Sequence, residues 1–285
     1  MDLDSATLDR NADEIAKEIG IPPCPAILTK LLRETRAEEP DFRRVGQLVG
    51  GDVALASAVL KVANSPFYGL RTKAASVQQA LALLGLTTVT QLVTGLLLRQ
   101  AFSGPTSPHM ERYWRTSMAT SLIAALLCRE TARGDSGIAC TYGLFRDCGM
   151  PVMLRKFPIY ADIFDGSALT PGEPVLEIEN ERYTTNHTRV GVQLARNWYL
   201  PEFVCYAILH HHDVLGSDEV LAQGEAASLD LIAIGLAAEQ LYCLATGAVC
   251  PEWPLAGEWA LFELDLTQLA FDALAARVKT SINRL

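Results

Sequence analysis

The stretch Ser76–Leu98, SVQQALALLGLTTVTQLVTGLLL, holds no charged side chain, and its spacing decides the fold class. Ser76 and Gln79 form a capping box, in which a hydroxyl and a carboxamide satisfy the first backbone N–H groups of a helix. Val77, Ala80, Leu81 and Leu84 then fall at i, i+3, i+4 and i+7, the stripe of a helix facing a core. Gly85 is placed to end that helix in the left-handed conformation. Thr87 or Thr88 caps a second helix, where Val89, Leu92, Val93 and Leu96 repeat the spacing. The uncharged run from Ala74 to Leu98 is long enough to span a bilayer. Its Ser, Gln and Thr residues and its two caps instead predict a pair of buried helices in a soluble protein.

The same grammar continues outward. Pro22, Pro23 and Pro25 open a helix over Ala26–Thr35 that carries Ile27, Leu31 and Leu32, since proline suits a helix approach and first turn. Asp41 precedes a helix with Val45, Leu48 and Val49. Gly50-Gly51 breaks it, and Asp52 caps the next, with Leu55, Val59 and Val62 facing inward. Asn64-Ser65-Pro66 ends that element. Ser103–Pro108 is rich in breakers and divides the chain into 1–105 and 106–285; Asp165–Pro174 is a second such region. Beyond it lie helices from about Asn186 to Tyr199 and from Pro201 to His212, then two more from about Leu229, separated by Cys250–Gly257. Short helices in tight succession predict an all-α multi-helix bundle.

Composition bounds the function. Of 285 residues, 49% are hydrophobic and 20% charged, enough apolar material for a core and unlike a disordered or fibrous chain. The net charge of −9 opposes broad nucleic-acid binding, so no nucleic acid is expected as a partner, and the reading of Ala74–Leu98 as buried helices leaves no membrane partner expected. Lys30, Arg33, Arg36, Arg43 and Arg44 read as a solvated face. Seven scattered cysteines without a CxxC pair, and an acidic N-terminus without an apolar leader, point to reduced thiols in the cytoplasm. Trp253 and Trp259 are expected to pack the last helix.

Four of the five histidines, His187, His210, His211 and His212, lie in one segment. His187, Val190, Gly191 and Leu194 share one helix face, and Val204, Ala207, Ile208 and His211 share another. Two helices joined by Trp198-Tyr199-Leu200-Pro201 would turn His187 and His211 into one interior. Two readings stand: a metal or phosphate site built on imidazoles and acids, or polar core residues paired with Glu179, Glu181 or Asp213. His210 points outward, and His109 is placed in a loop without a role.

The sequence also resembles the HDOD family, a bacterial signalling domain related to the HD metal-dependent phosphohydrolases. The resemblance rests on Ile21-Pro22-Pro23-Cys24-Pro25-Ala26, Gly51-Asp52-Val53-Ala54-Leu55, Val62–Gly69 (VANSPFYG) and Ser76–Ala80 running to Leu84-Gly85-Leu86. In the second half it rests on Tyr113–Ser117 (YWRTS), Asn186–Gly191 (NHTRVG), Trp198–Pro201 (WYLP) and Ala207–His212 (AILHHH). Asn64, Ser65, Gly85, Gly191, Trp198 and Pro201 are the signature positions expected to act structurally; Asn64 and Ser65 in particular suit bonding to the backbone of a sharp turn.

The resemblance implies an N-terminal helical subdomain followed by a degenerate HD-like bundle. HD chemistry needs a metal to prepare water for attack on phosphorus. At the positions the family relationship points to, this chain has Thr116 for the first His, Arg146-Asp147 for the His-Asp pair, and Ala237-Ala238 near the distal Asp. Arg146 cannot ligate a cation. No catalytic residue is therefore assigned. Thr116, Arg146, Asp147, His187, His211 and His212 form the expected ligand pocket, and Asp147, His187, His211 and His212 are the candidates for a divalent transition metal. No other cofactor is expected. The expected function is non-catalytic signal transduction, through an unidentified signalling partner, a homodimer or a small regulatory ligand. No second domain is recognisable, so a stand-alone module depending on a partner for output is expected. The alternative is a divergent metal-dependent phosphohydrolase.

Overall fold

The computed structural model describes residues 14, 18, 22, 24–35, 37–64, 68, 70–102, 108–164, 174–213 and 218–282. Among them every regular element is helical, and no strand occurs. The chain divides into two compact units. One comprises Cys24–Gly104 with Arg277–Leu285, the other Met1–Pro23 with Pro105–Ala276. The sequence boundary at 105 lies beside this division, but the two ends of the chain group across it.

The smaller unit contains α1 (Ala26–Thr35), α2 (Phe42–Gly50), α3 (Val53–Ala63) and α4 (Val77–Ala101). Its caps are side-chain carboxylates and a hydroxyl. Asp41 accepts from the N–H groups of Arg43 and Arg44, Asp52 from Leu55, and Ser76 from Gln79 at 3.1 Å. The Gln79 carboxamide returns the contact one residue further out than a standard box, accepting from Ala75 N at 2.7 Å. In α1 the buried side chains are Leu28 and Leu31. Expected Ile27 and Leu32 lie at the margin, because the seam runs one residue away from the one the spacing suggested.

Gly85 interrupts α4 with φ 83° and ψ 165°. The positive φ is the one expected of a helix-ending glycine, but the ψ is extended rather than left-handed helical, so the chain kinks and resumes its helix at once. That geometry is open to glycine and strained for any L side chain. Asn64 closes the loop ahead of α4 with both ends of its carboxamide: Nδ2 donates to Ala74 O at 2.8 Å, and Oδ1 accepts from Ala74 N at 2.7 Å. Ser65 falls outside the described residues.

The larger unit begins with α5 (Pro108–Thr131), α6 (Ser136–Phe145) and α7 (Gly149–Lys156). His109, expected in a loop, lies in the first turn of α5. A 3₁₀ turn (Pro158–Tyr160) leads to α8 (Ala161–Phe164), α9 (Val175–Tyr183), α10 (His187–Asn197) and α11 (Glu202–His210). Next come α12 (Asp218–Gln223), α13 (Ala226–Thr246), α14 (Trp253–Glu263) and α15 (Gln268–Ile282), of which the part from Arg277 on is grouped with the smaller unit. The tail thus holds three helices where two were expected. Leu264 and the left-handed Asp265 (φ 51°) make the extra break, with none of the proline or glycine that marks the others. Helix α13 is the central staff: α5, α6, α11 and α14 all pack on it. Trp253 stacks on Phe271 with ring centroids 4.8 Å apart, and Trp198, fully buried, donates its indole N–H to Pro22 O.

Among the described residues two single helices, Val77–Ala101 and Ala226–Thr246, are long and apolar enough to cross a membrane by length and composition. More than half of each such stretch is buried within the protein, and the first is broken at Gly85.

Candidate metal centre

The site is assembled from three places along the larger unit. Asp147 lies in the turn between α6 and α7, His187 is the first residue of α10, and His211 and His212 follow directly on α11. The first two are brought together by a close crossing of backbones. A methyl group on Gly149 would sit 1.9 Å from the carbonyl oxygen of His187 and 2.8 Å from Gly191 N. Only a residue without Cβ lets α7 start there, and this places Asp147, two residues earlier, over the start of α10. Asn186 caps α10 by accepting from Arg189 N at 3.1 Å. Packing of α10 on α11 then delivers the paired histidines.

Three ring nitrogens and one carboxylate oxygen meet. His212 Nε2 lies 3.1 Å from His187 Nε2. Asp147 Oδ1 lies 3.2 Å from His211 Nε2 and 3.7 Å from His187 Nε2. All four donor atoms fall within 4.8 Å of one another. His187 and His211 are buried, whereas the Asp147 side chain is 34% exposed.

Each imidazole is held by its other nitrogen. Glu179, fully buried on α9, lies 2.8 Å from His187 Nδ1 and also accepts the His187 backbone N–H at 2.9 Å and the Tyr160 hydroxyl. His211 Nδ1 lies 2.8 Å from Ile208 O, and His212 Nδ1 pairs with Glu252, which precedes α14. A carbonyl or an ionised carboxylate can only accept, so the protons of all three rings sit on Nδ1. The three Nε2 lone pairs are thereby turned into the same space. That is the arrangement by which outer groups fix the tautomer and orientation of metal-binding histidines.

The electrostatics agree. Burial would raise the carboxyl of Asp147, but the Arg146 guanidinium, then His211 and His187, hold it well below the usual carboxylate range. Glu179 is likewise lowered: His187 and Tyr160 outweigh the effect of its burial. Burial, then His212 and Arg146, push His211 down to about 3, so its ring is neutral at physiological pH. Glu252, against burial, is held near about 2 by His212 and Arg146, and reciprocally raises His212. Two imidazole nitrogens facing each other at hydrogen-bond distance need a proton or a cation between them. His211 Nε2 is buried and makes no aligned hydrogen bond despite its 3.2 Å approach to Asp147, an orphaned lone pair of the sort an ion satisfies. Three imidazoles and one carboxylate are a donor set for Zn, Fe or Ni.

Arg146 does not join the donors. Its Nη1 lies 2.6 Å from Glu239 Oε2 and its Nη2 3.7 Å from Glu252 Oε2. Thr116 donates its hydroxyl proton to Tyr242 Oη, 3.2 Å away on α13. Ala237 and Ala238 are fully buried in the α13 packing. The carboxylate in that region is Glu239, one residue further on, and it faces Arg146. Glu239, Glu252 and Tyr160 were not visible as site residues in the sequence. Glu239 adjoins the position where a distal acid was expected, which is a usable signal; Glu252, in the Pro251-Glu252-Trp253 step, offers none. His210 turns away, pairing with Asp213 at 3.0 Å.

Fold and site define an all-α multi-helix bundle carrying a convergent His/Asp cluster. The HDOD domain matches residues 21–214, and the chain belongs to that family. In sequence it is 26% identical over 196 residues to an uncharacterised protein of Treponema pallidum, covering 67% of this chain and 38% of that protein. It is 29% identical over 117 residues to the uncharacterised Bacillus subtilis protein YuxH, covering 41% and 28%. The chain therefore spans well under half the length of either relative. In structure it resembles an HDOD protein of unknown function from Geobacter sulfurreducens, with a TM-score of 0.76, 20% identity and 98% of each chain covered. It also resembles a provisionally assigned phosphohydrolase from Shewanella amazonensis, with a TM-score of 0.71, 18% identity, and 97% of this chain and 94% of that one covered. A provisionally assigned signal transduction protein from Marinobacter aquaeolei gives a TM-score of 0.73 at 22% identity, covering 99% and 66%. These likenesses establish the shared fold.

Proposed function

We propose that this HDOD protein is a non-catalytic cytoplasmic signal-transduction module whose larger unit holds one divalent transition ion on Asp147, His187, His211 and His212. It works through contact with a signalling partner, as a homodimer or through a small regulatory ligand. The observation that carries the reading is the convergence of all three Nε2 atoms on Asp147 with every Nδ1 already engaged. Four protein donors complete a tetrahedral ion, the closed arrangement of a structural site; a hydrolytic zinc site keeps one position for water. Arg146, where a further ligand would be needed, is a permanent cation. The likeness to a protein named for signal transduction supports the same reading.

When bound, the ion supplies a fixed positive charge that binds the four donors together. Glu179 and Glu252 orient their rings and keep their Nδ1 protons, and Tyr160 steadies Glu179.

A second reading, a divergent metal-dependent phosphohydrolase, is favoured by the exposure of Asp147, which opens the cluster to solvent. Elemental analysis of protein purified without chelator, followed by assays on phosphomonoesters and cyclic dinucleotides with Mn, Fe or Mg, separates the two. One ion per chain and no turnover supports the first reading. Metal-dependent turnover lost in Asp147→Ala overturns it in favour of the second.

A further inference from the structure

Arg146 sits beside the cluster rather than in it. Its side chain is 7% exposed and lies against Glu239 and Glu252. Glu252 is shared: one oxygen faces the guanidinium, the other holds Nδ1 of His212. The guanidinium is thus separated from a metal ligand by a single carboxylate. Two further polar atoms are buried here without a hydrogen-bond partner, Arg146 Nε and the hydroxyl of the fully buried Tyr142. Both side chains crowd the same point of α13: a methyl group on Gly235 would lie 3.3 Å from Tyr142 Oη and 3.4 Å from Arg146 Cδ.

The charges explain why a cation must be there. Asp147, Glu179, Glu239 and Glu252 bring four carboxylates around the three imidazoles. One divalent ion among the histidines offsets two of them. Glu239 and Glu252 then still need a counter-charge in a part-buried position, where an unpaired carboxylate is costly. Arg146 provides it. Without the guanidinium, those two carboxylates and the Tyr142 hydroxyl would form an oxygen-rich recess next to the histidine cluster, the chemistry that suits Mn or Mg.

We propose that the Arg146 guanidinium is the built-in occupant of a second cation position, and that this residue restricts the centre to one metal ion. The proposal rests on the metal reading above. Arg146 acts as a positioning residue: it touches no ligand atom and works through Glu252 and Glu239.

The test is metal stoichiometry on the full chain. Wild type, Arg146→His, Arg146→Gln and Arg146→Lys are loaded with excess Mn²⁺, freed of loose ion by gel filtration, and measured for metal per chain and for the Mn²⁺ paramagnetic resonance spectrum. The expected result is one ion and an isolated-ion spectrum for wild type and Arg146→Lys. For Arg146→His and Arg146→Gln it is two ions, with the exchange-broadened spectrum of a coupled pair. Wild type with one ion and both neutral-side-chain variants also with one overturns this proposal and leaves the metal reading standing. Wild type with two ions overturns it as well, and does so even where the variants do not fold. Wild type with none overturns both.

Discussion

Nε2 of His212 points at Nε2 of His187 across 3.1 Å, and the far nitrogen of each ring is engaged by a carboxylate, Glu252 and Glu179. An ion between the rings relieves that opposition, so its removal destabilises the fold. A ligand held at a hundred times its dissociation constant stabilises by about 2.7 kcal/mol. For a unit of this size that is a drop in Tm of about 5–10 °C on chelation. Calorimetry with and without EDTA measures it, and His187→Ala abolishes the difference.

Glu179→Gln leaves the volume unchanged but removes the anion that receives His187 Nδ1–H, the His187 backbone N–H and the Tyr160 hydroxyl. Loss of such an outer partner lowers metal affinity about 10- to 100-fold. Competition with a chromogenic chelator reads the change, and an unaltered affinity contradicts the assigned role.

Gly149→Ala places a methyl group 1.9 Å from His187 O. The atom it meets belongs to the backbone, so no flexible side chain can yield. Denaturant titration should show a loss of about 2 kcal/mol or more, at the upper end of overpacking penalties, with metal content falling alongside.

Asn64→Ala removes both hydrogen bonds to Ala74 and leaves that buried peptide unit unsatisfied. The expected cost is about 2–6 kcal/mol, since each of the two orphaned backbone groups forfeits about 1–3. Metal content, measured on the folded variant, stays at the wild-type level.

The thiols give a pH-dependent check. Burial, above all, pushes Cys140, Cys243 and Cys250 up to about 12, and Cys128 and Cys205 up to about 11. Thiolate is the reactive form, so at pH 8 about one molecule in a thousand of a thiol at 11 is reactive. Iodoacetamide should label half-buried Cys24 first in the native protein, and the six buried cysteines only once denaturant is added. Rapid native labelling of Cys140 runs against the packing described.

The sequence was most informative where local chemistry acts over a few residues. Asp41, Asp52 and Ser76 cap the helices that their side chains announce, and the spacing of Val77, Ala80 and Leu81 marks a buried face. Asp147, His187, His211 and His212 meet in the fold, and helical periodicity alone put His187 and His211 on inward faces. The partners that matter next were not legible. Glu239 and Glu252 reach Arg146 from positions ninety or more residues away, a pairing with no local pattern. The Ile208 carbonyl that orients His211 is a backbone atom common to every residue type. The break between α14 and α15 escaped notice because it rests on a left-handed Asp265 rather than on a glycine.

The candidate centre draws its donors from three separated pieces of chain: a turn, a helix start and a helix end. A cation seated there acts as a rivet. Bound only in the folded state, it fastens pieces of chain that lie far apart in sequence and is released when they come apart. The bundle therefore has reason to keep the rivet hole whether or not it hydrolyses anything. How firmly the end of α11 is fastened would then follow the supply of metal in the cell.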